Sequence, residues 1–83
     1  MIHPVWIGGD TYINGDLIIS ITNATHPKSK KAIKAAKEEG KLLDYTAGLT
    51  RKAVIMLNDG HVVVACVIPS RIVEEIKKEE KCL

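Results

Sequence analysis

The stretch Ala53-Val54-Ile55-Met56-Leu57, Asn58-Asp59-Gly60, His61-Val62-Val63-Val64-Ala65-Cys66-Val67-Ile68 and Pro69 sets two aliphatic runs on either side of a turn tripeptide. β-Branched residues crowd both runs, and a turn ending in glycine between such runs is the strongest local sign of a β-hairpin. The second run does not alternate apolar with polar, which implies a strand with both faces covered. One cover is a helix. The other is expected to be a second subunit, through self-association of aliphatic strand surface.

Outward from the hairpin, His26 to Gly40 reads as one helix of about thirteen residues, with Pro27 preset for a first turn and Gly40 as its stop. Ser29, Ile33, Ala36 and Gly40 share a face of small side chains able to lie close to a sheet. Leu42-Leu43-Asp44-Tyr45 reads as a strand, and Thr46 to Lys52 as a polar loop. Near the start, Val5-Trp6-Ile7, Thr11-Tyr12-Ile13 and Leu17 to Ile21 read as strands. Gly8-Gly9-Asp10 and Asn14-Gly15-Asp16 turn between them, the Asn-Gly pair suiting positive φ. Pro69 is expected to end the hairpin's second strand. Ser70 is then positioned to cap a last helix with an apolar stripe of Ile72, Val73 and Ile76 and a Glu74–Lys78 pair. The fold class is α+β: a mainly antiparallel sheet with one central and one C-terminal helix, in a single domain over 1–83.

Only 4% of the 83 residues are aromatic against 46% apolar, so the core must be aliphatic. A domain this short buries modest surface, and packing against copies of itself would add to it. Two cysteines, Cys66 and Cys82, and three scattered histidines make neither a disulfide framework nor a zinc spacing. No metal or cofactor is expected. No apolar run approaches the ~20 residues that span a bilayer, and the cytoplasm is the expected compartment, with no membrane partner. Ser70, Cys66, His61 and Asp59 are isolated groups without the neighbouring base or acid that catalysis needs, so the chain is read as a non-enzyme without a small-molecule substrate. Gly8-Gly9 belongs to no phosphate-binding signature.

Charge is more informative by position than by sum, the net being only +2. Six of the twelve cations, Lys28, Lys30, Lys31, Lys34, Lys37 and Lys41, lie within fourteen residues. Lys30, Lys34, Lys37 and Lys41 fall within about 60° of arc on the helix, a stripe that can follow a phosphate backbone. Arg51 and Lys52 add a basic spot in a glycine-containing loop.

The run Ala36-Lys37-Glu38-Glu39-Gly40-Lys41-Leu42-Leu43-Asp44-Tyr45-Thr46-Ala47-Gly48, then Lys52 to Met56 and Gly60 to Pro69, resembles the RemA-like family of small bacterial regulatory proteins. Ile7-Gly8 and Ile18-Ile19 extend the resemblance. It implies a non-enzymatic, DNA-binding transcription regulator whose subunits form ring-shaped homo-oligomers; some members activate genes for extracellular matrix and osmotic stress. Family members carry two arginines after the glycine matching Gly48 and another before the isoleucines, where this chain has Leu49, Thr50 and Leu17. Lys52 matches a basic family position, and Arg51 is displaced from one. Double-stranded DNA is therefore the expected partner, its backbone met by Arg51 and Lys52 and the footprint extended by Lys30, Lys34, Lys37 and Lys41. The alternative is a homo-oligomeric protein-interaction module on the same scaffold, with DNA binding lost.

Overall fold

Asn58, Asp59 and Gly60 turn the chain between β5 (Ala53–Leu57) and β6 (Val62–Ala65), which pair antiparallel from Ala53↔Ala65 to Met56↔Val62. Gly60 takes φ of 92°, and the Asp59 carboxylate accepts the His61 N–H at 3.0 Å. The computed structural model describes residues 3–81, with side chains from His3 to Lys78. Cys82, and with it part of the cysteine reading, lies outside the described residues.

Before the hairpin come β1 (Pro4–Gly8), β2 (Thr11–Asn14), a 3₁₀ turn (Gly15–Leu17), β3 (Ile18–Asn23), α1 (Pro27–Glu39) and β4 (Leu42–Asp44); α2 (Pro69–Lys81) follows it. β1 and β2 form a two-stranded ribbon. The other four make one sheet in the order β3-β5-β6-β4, antiparallel except where β4 runs parallel to β6. The molecule is an α+β fold.

Apart from Met56, which is 40% exposed, β5 and β6 are covered on both faces by their own chain. On one side, Ala53, Ile55, Leu57, Val63 and Ala65 pack with Val5 and Ile7 of β1 and Ile72 of α2. On the other, Val54 and Val62 pack with Ala24 and with Ile33 and Ala36 of α1. The expected cover by a second subunit is thus replaced: the two ends of the chain fold back as ribbon and C-terminal helix. Their apolar sequence says that both faces are buried but does not say by what.

Strand ends follow available partners. The expected strand over 61–68 stops at Ala65, because β5 begins opposite it at Ala53 and β4 ends opposite Val64. Cys66, Val67 and Ile68 leave the sheet, and Pro69 opens α2 instead of merely ending a strand. It needs no N–H in the first turn. The Ile68 carbonyl accepts from Arg71 and Ile72, so Ser70 lies inside the helix rather than capping it. Ile72 is buried and Ile76 half-buried, while Val73, about 100° away, is exposed. Glu74 approaches Arg71 rather than Lys78, which meets Glu75 at 3.4 Å. Arg71 also sits over the Trp6 ring at 5.7 Å.

α1 matches its expected span. The His26 Nδ1 accepts the Lys28 N–H at 3.1 Å as the N-cap, and Gly40 ends the helix at φ of 71°. Ser29 and Ala36 are buried against the sheet with Ile33 half-buried, whereas Gly40 is exposed and acts only as the cap. Gly15 departs from expectation. Its φ is not positive; glycine is needed because an added Cβ would lie 2.8 Å from Val5 Cγ2 and 3.1 Å from the His3 carbonyl oxygen.

Candidate nucleic-acid interface

One end of the four-stranded sheet gathers the candidate loop. β4 finishes there at Asp44, β6 at Ala65 and β3 at Asn23, while β5 starts there at Ala53. Lys52 is fixed by its backbone: its N–H donates to Ala65 and its carbonyl accepts from Ala24, two residues before the His26 cap. Arg51 and Lys52 therefore stand at the same end as the start of α1, and both side chains are exposed.

Asp44 organises the loop. Its Oδ1 accepts from the Thr46 N–H at 3.0 Å and from the Thr46 hydroxyl at 2.6 Å, and its Oδ2 accepts from Arg51 Nη2 at 3.3 Å. Short polar side chains favour such bonds to the backbone two residues on. Thr46 is only 3% exposed, so the carboxylate is anchored to a fixed point. The Thr46 hydroxyl and amide, with a smaller contribution from Arg51, hold the Asp44 carboxyl below the usual carboxylate range. Beyond Thr46, the Leu49 N–H closes a tight turn onto the Thr46 carbonyl at 2.9 Å. Its central residues are Ala47, φ 54°, and Gly48, φ 83°. Two successive positive φ values suit Gly48 but strain Ala47. Leu49 projects from the tip, 65% exposed.

Of the expected stripe, Lys30, Lys34 and Lys37 lie on α1; the helix ends at Glu39 and Gly40 turns left-handed, so Lys41 falls past the helix and off the stripe. Lys30 lies in the first turn of α1, near the Arg51–Lys52 end, and its N–H donates to the His26 carbonyl. Lys34 and Lys37 follow, exposed. Lys41 is half-buried at the opposite end, where its carbonyl accepts from Val62 and its side chain lies along Gly60. Lys30 and Lys41 thus stand at opposite ends of α1. Among the described residues, no carboxylate pairs with Lys30, Lys34, Lys37 or Lys41. Sequence reasoning passed over Lys28 and Lys31 as contacts, yet they share the first turns with Lys30 and no acid stands in the first turn. The signal was available, since cations are disfavoured at a helix N-terminus and three there are unusual. Lys28 lies on the flank opposite the stripe, bordering a cavity of about 200 Å³ between α1 and Ser20, Thr22 and Met56.

The catalytic candidates are divided. His61 Nδ1 lies 3.0 Å from Asp59 Oδ1 in the hairpin turn, and the His61 backbone N–H is the main cause that lowers the Asp59 pKa. Cys66 and Ser70 lie past the far end of β6, roughly 13 Å along the strand. The His–Asp pair therefore has neither of those nucleophiles beside it. Among the described residues, no three His, Cys, Asp or Glu side chains converge as a metal site, and no helix is long and apolar enough to cross a membrane.

Residues 5–79 match the RemA-like family, described as extracellular matrix regulatory protein A-like. The chain belongs to the RemA-like family. It is 32% identical over 72 residues to a protein of Pseudothermotoga lettingae, covering 87% of this chain and 79% of the relative. It is also 32% identical over 75 residues to a protein of Bacillus cereus strain AH187, covering 90% and 86%. Both bear the name "Putative regulatory protein". In this RemA-like chain the motif from Ala36 to Gly48 is architectural: Ala36 lies on the buried face of α1, Gly40 caps the helix, Asp44 and Thr46 clasp the loop, and Gly48 completes the turn. Of the three positions where the resemblance led to an expectation of arginine, Leu17 packs against the core, while Leu49 and Thr50 are exposed on the loop.

Proposed function

We propose that this RemA-like chain is a regulatory protein that binds double-stranded DNA as a homo-oligomeric, ring-like assembly and carries out no catalysis. The observation that carries the reading is the meeting of Arg51 and Lys52 with the lysine-rich start of α1 at one end of the sheet. Phosphate contacts fix a protein on the duplex without reading its sequence, and lysine and arginine supply them. Lys30, Lys34 and Lys37 extend the footprint along the exposed flank of α1, and Lys41 closes it against the hairpin. A subunit of net charge +2 grips weakly alone. Repeating the same loop around an assembly raises effective concentration and multiplies the grip. The regulatory names of the relatives agree with this role.

A second reading, a homo-oligomeric protein-interaction module, is favoured by one observation. Arg51 is already paired with Asp44, and Leu49 stands exposed beside it where the resemblance led to an expectation of arginine. Replacement of Arg51 and Lys52 together by alanine separates the two. Loss of most duplex affinity, with an unchanged thermal melt, supports DNA contact by the loop; unchanged affinity refutes that assignment.

A further inference from the structure

We infer that Asp44 is a built-in counter-ion that occupies Arg51 and must be overcome by any phosphate the loop engages, so that the carboxylate holds down the affinity of each subunit. The inference rests on the proposed DNA contact and names the residue that regulates it.

Three features of the loop lead here. The Asp44–Arg51 contact is a single hydrogen bond at 3.3 Å between half-exposed side chains, 38% and 47% accessible. It is not the two-pronged geometry that makes arginine–carboxylate pairs strong, and exposed pairs contribute little to stability. Arg51 can therefore turn to another anion. The carboxylate, in contrast, is fixed: its other oxygen takes two bonds from buried Thr46, at the base of a turn closed by Leu49. It stays beside Arg51 when an anion arrives. Fixed in this way, Asp44 cancels the charge of Arg51 and repels the incoming phosphate, leaving Lys52 as the loop's uncompensated cation.

Counterion release scales with the phosphates a protein neutralises, so a cancelled arginine contributes almost nothing to it. A subunit held weak in this way binds appreciably only as one of several on the same duplex. Protonation does not provide the release at neutral pH, because the Thr46 bonds and Arg51 lower the Asp44 titration. Competition by a clustered set of phosphates does.

Asp44→Asn tests the inference, since its amide oxygen can keep both Thr46 bonds while the negative charge is removed. Duplex affinity is measured by fluorescence anisotropy across salt concentrations for wild type, Asp44→Asn, Arg51→Ala and the double variant. A parallel arm titrates inorganic phosphate and follows the Arg51 side-chain N–H resonance by NMR. The expected result is tighter duplex binding by Asp44→Asn, roughly fivefold per engaged subunit. Its salt slope is steeper by about 0.9 for each freed arginine. The gain is absent in the Arg51→Ala background, and the Arg51 resonance of Asp44→Asn saturates at lower phosphate. Equal or weaker duplex binding by a folded Asp44→Asn overturns the inference. If neither protein binds duplex, the DNA reading fails by itself and the phosphate arm decides: earlier saturation in Asp44→Asn upholds the counter-ion role, and identical curves overturn it.

Discussion

Ile72→Ala tests whether α2 belongs to its own subunit's core. Ile72 is fully buried, packed with Val5 and Ile7 of the ribbon and with the β5–β6 hairpin. Truncation of a buried isoleucine to alanine costs about 2–5 kcal/mol, more where the surroundings cannot collapse. Val5 is held in the ribbon by its pairing with Ile13, and Ala53 and Ala65 are held in the sheet. A cost of about 3 kcal/mol follows, against about 4–12 kcal/mol for the whole stability of 83 residues. For a domain of this size that lowers the melting temperature by about 12–24 °C. A thirteen-residue helix is marginal by itself, and besides Ile72 the described anchors of α2 are Ile76 and the Arg71–Trp6 contact. Helical circular dichroism should therefore fall at the new transition. Melts at several protein concentrations are the assay, and the drop should be the same in each. An unchanged melting temperature, or a drop that depends strongly on concentration, would refute the reasoning, the latter by making α2 a contact between subunits.

Gly15→Ala should destabilise the fold by about 1–3 kcal/mol, because the new methyl meets core Val5 and a fixed carbonyl; an unchanged chemical-denaturation midpoint would show that the approach is not tight. His26→Asp should raise the melting temperature by a few degrees, about 0.5–1 kcal/mol, by pairing a better N-cap with a negative charge at a helix start that has three lysines and no acid. Asp44 has a lowered folded pKa, so its contribution to stability is complete above the unfolded carboxylate value near 4 and is lost as pH falls through the lower folded value. Thr46→Val removes the largest cause of that depression, and the Asp44 carboxyl resonance should then titrate at higher pH by NMR. Unaltered titration would contradict the 2.6 Å bond.

Much of this architecture could be read from residues that carry local chemistry. Asn58-Asp59-Gly60 specifies a reversal wherever it is placed, and Pro27 with Gly40 brackets α1 by backbone geometry alone. What could not be read was set by partners distant in sequence. β6 ends at Ala65 because β5 and β4 run out there, and the parallel pairing of three-residue β4 has no local signature. The doubly apolar strand revealed its burial but not that Val5, Ile7 and Ile72 supply it. At the candidate site, the exposure of Arg51 and Lys52 followed from their polar loop. The Asp44-Tyr45-Thr46 run carried a readable turn signal, but the return of Arg51 to the same carboxylate depends on how that turn closes.

The central claim, backbone contact with DNA by several copies of one basic loop, is tested most directly by titrating wild-type protein against a duplex of a few tens of base pairs at a series of salt concentrations. The account predicts saturable binding whose log affinity falls linearly with log salt. The slope should be steeper than the roughly 5.4 that the six candidate cations of one subunit can supply at most at 0.9 per phosphate. Absence of saturable binding at the lowest salt would contradict it, and a slope at or below that value would remove the multivalent grip.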